Sequence, residues 1–237
     1  MTPEARRGAA ASESRGRRLW RWAKRILGGL VLLWLALILL YRWVDPPITP
    51  LMLLRWPSEG RILRHEVPLA AIARSLQRAV IVSEDDTFCT NPGIDWREVG
   101  DAIAEYRATG HLRGASTITM QTARNLFLWP GGGFLRKGAE AALALAIDAL
   151  WPKKRVLEVY LNAIEWGPGI YGADAAARYY FHTDARALSL REAALLTAVL
   201  PNPRFWSAAR PDGYIDGRAR TIEDRVERFE GNFSCLR

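Results

Sequence analysis

The run ILGGLVLLWLALILLY, Ile26 to Tyr41, constrains this chain more than any other feature. It carries no charge, and Trp20, Trp22, Tyr41 and Trp43 stand at its two ends. Sixteen helical residues span about 24 Å, and aromatic flanks extend the usable length toward the roughly 30 Å of a bilayer core. A buried core helix rarely has so basic a flank, and LYRWVDPPITP lacks the small-residue cleavage site that would end a signal peptide. The expectation is a single transmembrane anchor over residues 26–44.

The charge distribution sets the topology. The net charge is +8, and residues 1–25 hold eight Arg or Lys against Glu4 and Glu13, so +6 of it lies in that tail. Basic residues stay cytoplasmic, which sends everything after Tyr41 to the outer, periplasmic side of the inner membrane. A basic excess confined to a membrane flank argues against nucleic acid as a partner. The tail lacks apolar periodicity and is expected to be disordered. Cys89 and Cys235, the two cysteines, both fall on the outer side, where a disulfide can persist; pairing and two buried thiols both remain open.

The proline-rich DPPITP opens a linker over residues 45–66, and residues 67–237 form the globular domain, read as mainly α. PLAAIARSLQRAVIVSED places Pro68 at a first-turn position and runs an apolar stripe through Ile72, Leu76, Ala79 and Val80. Asp95, with Glu98 three residues on and Gly110 as a stop, bounds the next helix. Another helix is expected after Ser116, and FLRKGAEAALALAIDALW reads as a central buried helix. KKRVLEVYLNAIEWG carries Val156, Leu157, Tyr160, Leu161 and Ile164 at helical spacing, and Ser189 with Glu192 makes a capping box. No strand pair or two-residue hairpin is read.

Four stretches carry polar residues that packing does not ask for. In AVIVSEDDTFCTNPGIDW, Glu84 follows an apolar run and sits beside Asp85 and Asp86, which suits a general base as well as a helix-end cluster. Neighbouring helical side chains diverge by about 100°, so the three acids do not share one site. Glu84 is read as catalytic and Asp85 as a hydrogen-bonding partner. In RKGAE, Arg136 and Lys137 share a helix face with Glu140, which opens directly onto an apolar helix. GASTITMQTARN supplies Ser116, Thr117, Gln121, Arg124 and Asn125 for sugar hydroxyls or phosphate oxygens, although Ser and Thr there also cap helices. KKRVLEVYLN adds Lys153 and Asn162. Trp129 and Phe134, flanking PGGG, suit either core packing or a membrane interface.

In order and spacing, EDDTFCTNPG, GASTITMQ, RKGAE and KKRVLEVYLN resemble the motifs of the family 51 glycosyltransferases, the peptidoglycan glycosyltransferases, from about Ala79 to Pro203. The single anchor and the NLFLW and AVLPNP segments look like the monofunctional branch, and no Ser-x-x-Lys or Lys-Thr-Gly of a transpeptidase occurs. The resemblance implies a lysozyme-like, mainly α glycosyltransferase domain behind one transmembrane helix. It implies polymerisation of lipid II into glycan strands at the outer membrane face, with lipid II, the nascent strand and other cell-wall synthesis proteins as partners. It implies Glu84 as the base at the acceptor 4-hydroxyl and Glu140 as the second catalytic acid. Asp85, Ser116, Thr117, Gln121, Arg124, Asn125, Arg136, Lys137, Lys153 and Asn162 fall to substrate binding. No cofactor is required by the motifs, and a divalent cation, Mg or Mn, is compatible with the pyrophosphate. The sequence departs from the family pattern at Asn91 and Pro92, where His and a variable residue are usual, at Met120 for Gln and at Arg124 for Lys.

Two other classes fit parts of this pattern: a lysozyme-like hydrolase and an inactive cell-wall scaffold. Glycosidic cleavage needs a protonated acid on the leaving sugar. Expelling a lipid pyrophosphate instead needs cations to hold the developing charge. Arg124, Arg136, Lys137 and Lys153 beside two glutamates meet the second requirement better.

Overall fold

The computed structural model describes residues 3–111 and 114–236; residues 1 and 2 of the basic tail, and the side chains at 3–17 and 19, lie outside that description. The chain divides into two compact units, Met1–Trp43 and Val44–Arg237. The first is helix α1, Pro3–Tyr41. Within it Trp20–Tyr41 is long and apolar enough to cross a membrane, and large side chains such as Leu27 and Leu32 are exposed. Helical structure also runs through residues 3–18, expected as a disordered tail. Ala and Arg dominate there, and such helix formers extend an existing helix at little cost once the nucleus has formed.

The second unit is mainly α, as its patterning predicts. Part of the expected linker belongs to it: α2, Pro50–Glu59, starts with Thr49 capping Met52 N and Pro50 in the first turn, and β1, Leu63–Arg64, follows. Prolines that read as a stiff linker therefore mark a helix start. The helix expected from Pro68 is interrupted. A 3₁₀ turn at Leu69–Ala71 precedes α3, Arg74–Glu84. Tertiary partners take the backbone groups that would have joined the two. Leu69 N donates to Glu158 Oε2 at 2.7 Å, Ala73 N donates to Ala185 O at 2.8 Å, and Gln77 Nε2 donates to the carbonyls of Leu69 and Ile72.

The remaining helices are α4, Trp96–Thr109; α5, Ile118–Phe127; α6, Phe134–Leu150; α7, Lys153–Ala163; α8, Ala173–Phe181; α9, Leu190–Val199; and α10, Gly213–Arg228. Local chemistry sets most boundaries. Asp95 accepts from Arg97 N and Glu98 N, Gly110 closes α4 in the left-handed region, and Ser189 with Glu192 forms the reciprocal capping box of α9. A small sheet was not legible: β2, Glu165–Gly167, turns through Pro168 and Gly169 into β3, Ile170–Tyr171, which also pairs in parallel with β1. Gly169 is required at that turn. Its φ is +70°, and a Cβ there would stand 2.7 Å from Arg61 O.

The core lies where α5 meets α6 and α7 and where α9 is packed between α3 and α10. Leu76, Val80 and Ile81 of α3 and Val156, Leu157 and Leu161 of α7 are buried. Helix α6 is not the central helix its composition suggests: Leu143, Ala144 and Ile147 are buried while Leu145 is 41% exposed. Its many alanines leave the outer face weakly apolar, so one stripe suffices. Cys89 and Cys235 form a disulfide.

Candidate active site

Glu84 is the last residue of α3, and the chain leaves the helix at Asp85. The half-buried Glu84 borders a cleft of about 270 Å³ with Asp86, Glu98, Ser116 and Arg225. Its Oε2 accepts from Gln121 Nε2 at 3.0 Å. Gln121 also borders a second cleft, of about 250 Å³, with Arg124, Asn125, Trp129, Tyr160 and Glu165. The amide of Gln121 thus links the two.

The neighbouring acid does something different. Asp85 is buried and accepts from Ile118 N at 2.9 Å, Asn91 Nδ2 at 2.8 Å and Thr87 Oγ1 at 3.3 Å. Burial pushes its carboxyl up to about 6, against the pull of those donors and of Lys153. Asp85 therefore anchors the first turn of α5, which carries Gln121 to Glu84.

Asn91 completes this support. Its Nδ2 also reaches Thr87 Oγ1 at 3.1 Å, and its Oδ1 accepts from Gly93 N at 3.0 Å and Lys153 Nζ at 3.2 Å. Gly93 allows the loop to lie against α6, since a Cβ there would stand 2.8 Å from Asp148 Cβ. Gly93 O in turn accepts from Thr117 Oγ1 at 2.6 Å, while the same hydroxyl caps Met120 N at 3.1 Å. Met120 is 3% exposed, so an apolar side chain suits the position beside Gln121.

The cations gather on α6. Glu140 is fully buried; its Oε1 accepts from Lys137 Nζ at 2.8 Å and its Oε2 from Arg136 Nη1. Lys137 Nζ also donates to Ser116 Oγ at 2.6 Å, which ties the triad to the wall of the Glu84 cleft. Arg124 lines the second cleft. Two residues expected in the site make contacts to the scaffold. Lys153 pairs with Asp148 at 2.7 Å and lies over the Phe88 ring, and Asn162 ties α7 to both backbone groups of Val67. Trp129 and Phe134 are exposed, which leaves core packing as no account of them.

The geometry adds Tyr160, Thr87 and Arg225 to the residues around the site. Tyr160 donates to Gln121 Oε1 at 2.9 Å, and Arg225 of α10 stands 3.7 Å from Asp86. In sequence Tyr160 is one more rung of an apolar stripe, and Arg225 lies outside every motif. Both oxygens of Glu140 are taken by Arg136 and Lys137, and among the described residues no three His, Cys, Asp or Glu gather to hold a metal. Among the described residues the side chains alone therefore make no cage for a divalent cation.

Residues 55–227 match the family described as Transglycosylase. A biosynthetic peptidoglycan transglycosylase of Rhodospirillum centenum is 54% identical over 222 residues, covering 92% of this chain and 96% of that one. Proteins of the same description from Stutzerimonas stutzeri and Shewanella amazonensis are 44% identical over 214 residues and 46% identical over 217. These two alignments cover 88% of both chains and 90% and 89% of the two chains, respectively.

Proposed function

The chain belongs to the transglycosylase family of peptidoglycan glycosyltransferases, and from that premise we propose a division of labour between Glu84 and the cations of α5 and α6. The family assigns it the polymerisation of peptidoglycan glycan strands. In our reading the substrate is lipid II, and Glu84 removes the proton from the acceptor 4-hydroxyl. That oxygen attacks the anomeric carbon of the growing strand with inversion, and the lipid pyrophosphate leaves. Arg124, Arg136 and Lys137 hold the charge that develops on it, the kind of preorganised electrostatics that often dominates catalysis. Glu140 touches no reacting atom in this scheme: it fixes two of the cations.

One observation carries the proposal. The carboxylate of Glu84 borders the same cleft as Ser116, whose hydroxyl accepts from the Lys137 ammonium. A fixed cation therefore stands one hydrogen bond behind the wall of the cleft that the base borders. The hydrolase reading needs a second acid with a proton to give. Glu140, buried and accepting from cations at both oxygens, presents none.

The membrane setting follows from the substrate. Donor and acceptor both carry polyprenyl chains, so an enzyme anchored by Trp20–Tyr41 meets them in two dimensions. We place the basic tail on the cytoplasmic side by the excess of Arg and Lys before that helix. Incubation of the full chain with labelled lipid II in detergent tests the reading: long glycan polymer is expected. Shortening of added glycan strands, or no product, would overturn it.

A further inference from the structure

Tyr160 belongs to the apolar stripe of α7 by sequence, and at 1% exposure it is a core residue. Its hydroxyl nevertheless makes a specific bond, donating to Gln121 Oε1 at 2.9 Å. A primary amide is an acceptor on one side and a double donor on the other. With Oε1 engaged by Tyr160, Nε2 faces the opposite way, 3.0 Å from Glu84 Oε2 and 3.5 Å from Ser116 O. Burial, and then the nearby Glu84 charge, push the ionisation of Tyr160 well above the usual phenol range, so it stays a protonated donor while the enzyme works.

We propose that Tyr160 is a positioning residue for strand polymerisation, acting through Gln121 to hold the Glu84 carboxylate in its working orientation. The inference rests on Glu84 being the base. Tyr160 never meets the acceptor hydroxyl in this scheme: it fixes one end of the amide whose other end holds Glu84. Gln121 borders the cleft that Arg124 lines and donates to Glu84, which borders the other, so the relay joins the base to that second cleft.

The charged surroundings of Glu84 come from several elements. Asp85 and Asp86 follow it in the chain, Asp95 and Glu98 face its cleft from α4 and its cap, and Arg225 faces it from α10. Lys137 approaches through Ser116 from α6, and Arg124 stands on α5 one turn from Gln121. All of these remain in place when only the Tyr160 hydroxyl is removed.

A double-mutant cycle tests the relay. Tyr160→Phe keeps the buried ring and is expected to lower kcat about tenfold, the scale of one lost hydrogen bond, with little change in KM. The acid limb of its pH–rate profile is expected to move to higher pH, because the carboxylate loses a fixed donor. In a Gln121→Ala background the same Tyr160→Phe change is expected to cost nothing further. An equal loss in both backgrounds would show that Tyr160 acts through packing alone, and would overturn the relay. The parent reading fails separately: it falls if Glu84→Gln polymerises at a normal rate, whatever the cycle shows.

Discussion

The end of α3 and the second turn of α6 each carry a glutamate of the candidate site, and their surroundings are opposite. Glu84 is half-buried, borders open space and accepts one hydrogen bond from a neutral amide. Glu140 is sealed from solvent and accepts from two cations. A base must have a lone pair that substrate can reach, whereas a residue that orders cations must have none to spare. The same side chain is thus given two roles by access and by partners. Chemistry alone does not separate them.

The sharpest way to break this contrast is to neutralise each acid in turn. Glu84→Gln is expected to lower the polymerisation rate by about 10² to 10⁴, the usual worth of a positioned base, with the melting temperature unchanged. Glu140→Gln should act first on the fold. It leaves Arg136 and Lys137 without their buried partner, and a loss of about 3 kcal/mol is expected in chemical unfolding, with activity falling in step. A Glu140→Gln protein as stable as the parent would remove the scaffold role.

Smaller effects test the loop that supports Glu84. Asn91→Leu strips donors from Asp85 and Thr87 and the acceptor from Gly93 N and Lys153, and should cost about 2 kcal/mol of stability. Asp85 supplies a pH signature. Its folded-state carboxyl is raised to about 6, so the folded chain binds a proton more tightly than the unfolded one as pH falls. Stability therefore rises on acidification through that window. Relative to Asp85→Asn, the parent should gain about 1.5 kcal/mol between pH 7.5 and 5 in urea unfolding, and a constant difference would contradict the assignment.

Much of this arrangement is legible in the sequence because it is local. Asp95, Gly110, Thr117 and the Ser189–Glu192 pair mark their helix ends through bonds to residues two to four positions away. The Arg136–Lys137–Glu140 triad is likewise one helical turn. What sequence reading leaves out depends on distant partners. Lys153 and Asn162 read as cleft residues, and the sequence does not show their bonds across 62 and 95 positions, to Asn91 and Val67. Tyr160 shows the reverse error: spacing files it with the core, and only its contact with Gln121 across 39 positions reveals a polar role. The short strands have too few residues to carry a period, and Thr49–Pro50 reads equally as linker or helix start.

Chemical rescue tests the contrast between the two glutamates most directly. Glu84→Ala and Glu140→Ala are assayed for lipid II polymerisation with increasing formate, a carboxylate small enough to enter a vacated side-chain site. Glu84 borders open cleft, so formate is predicted to restore polymerisation to Glu84→Ala in a dose-dependent way and to leave Glu140→Ala unrestored. Failure to rescue Glu84→Ala, or equal rescue of both, would contradict the assignment of Glu84 as the base.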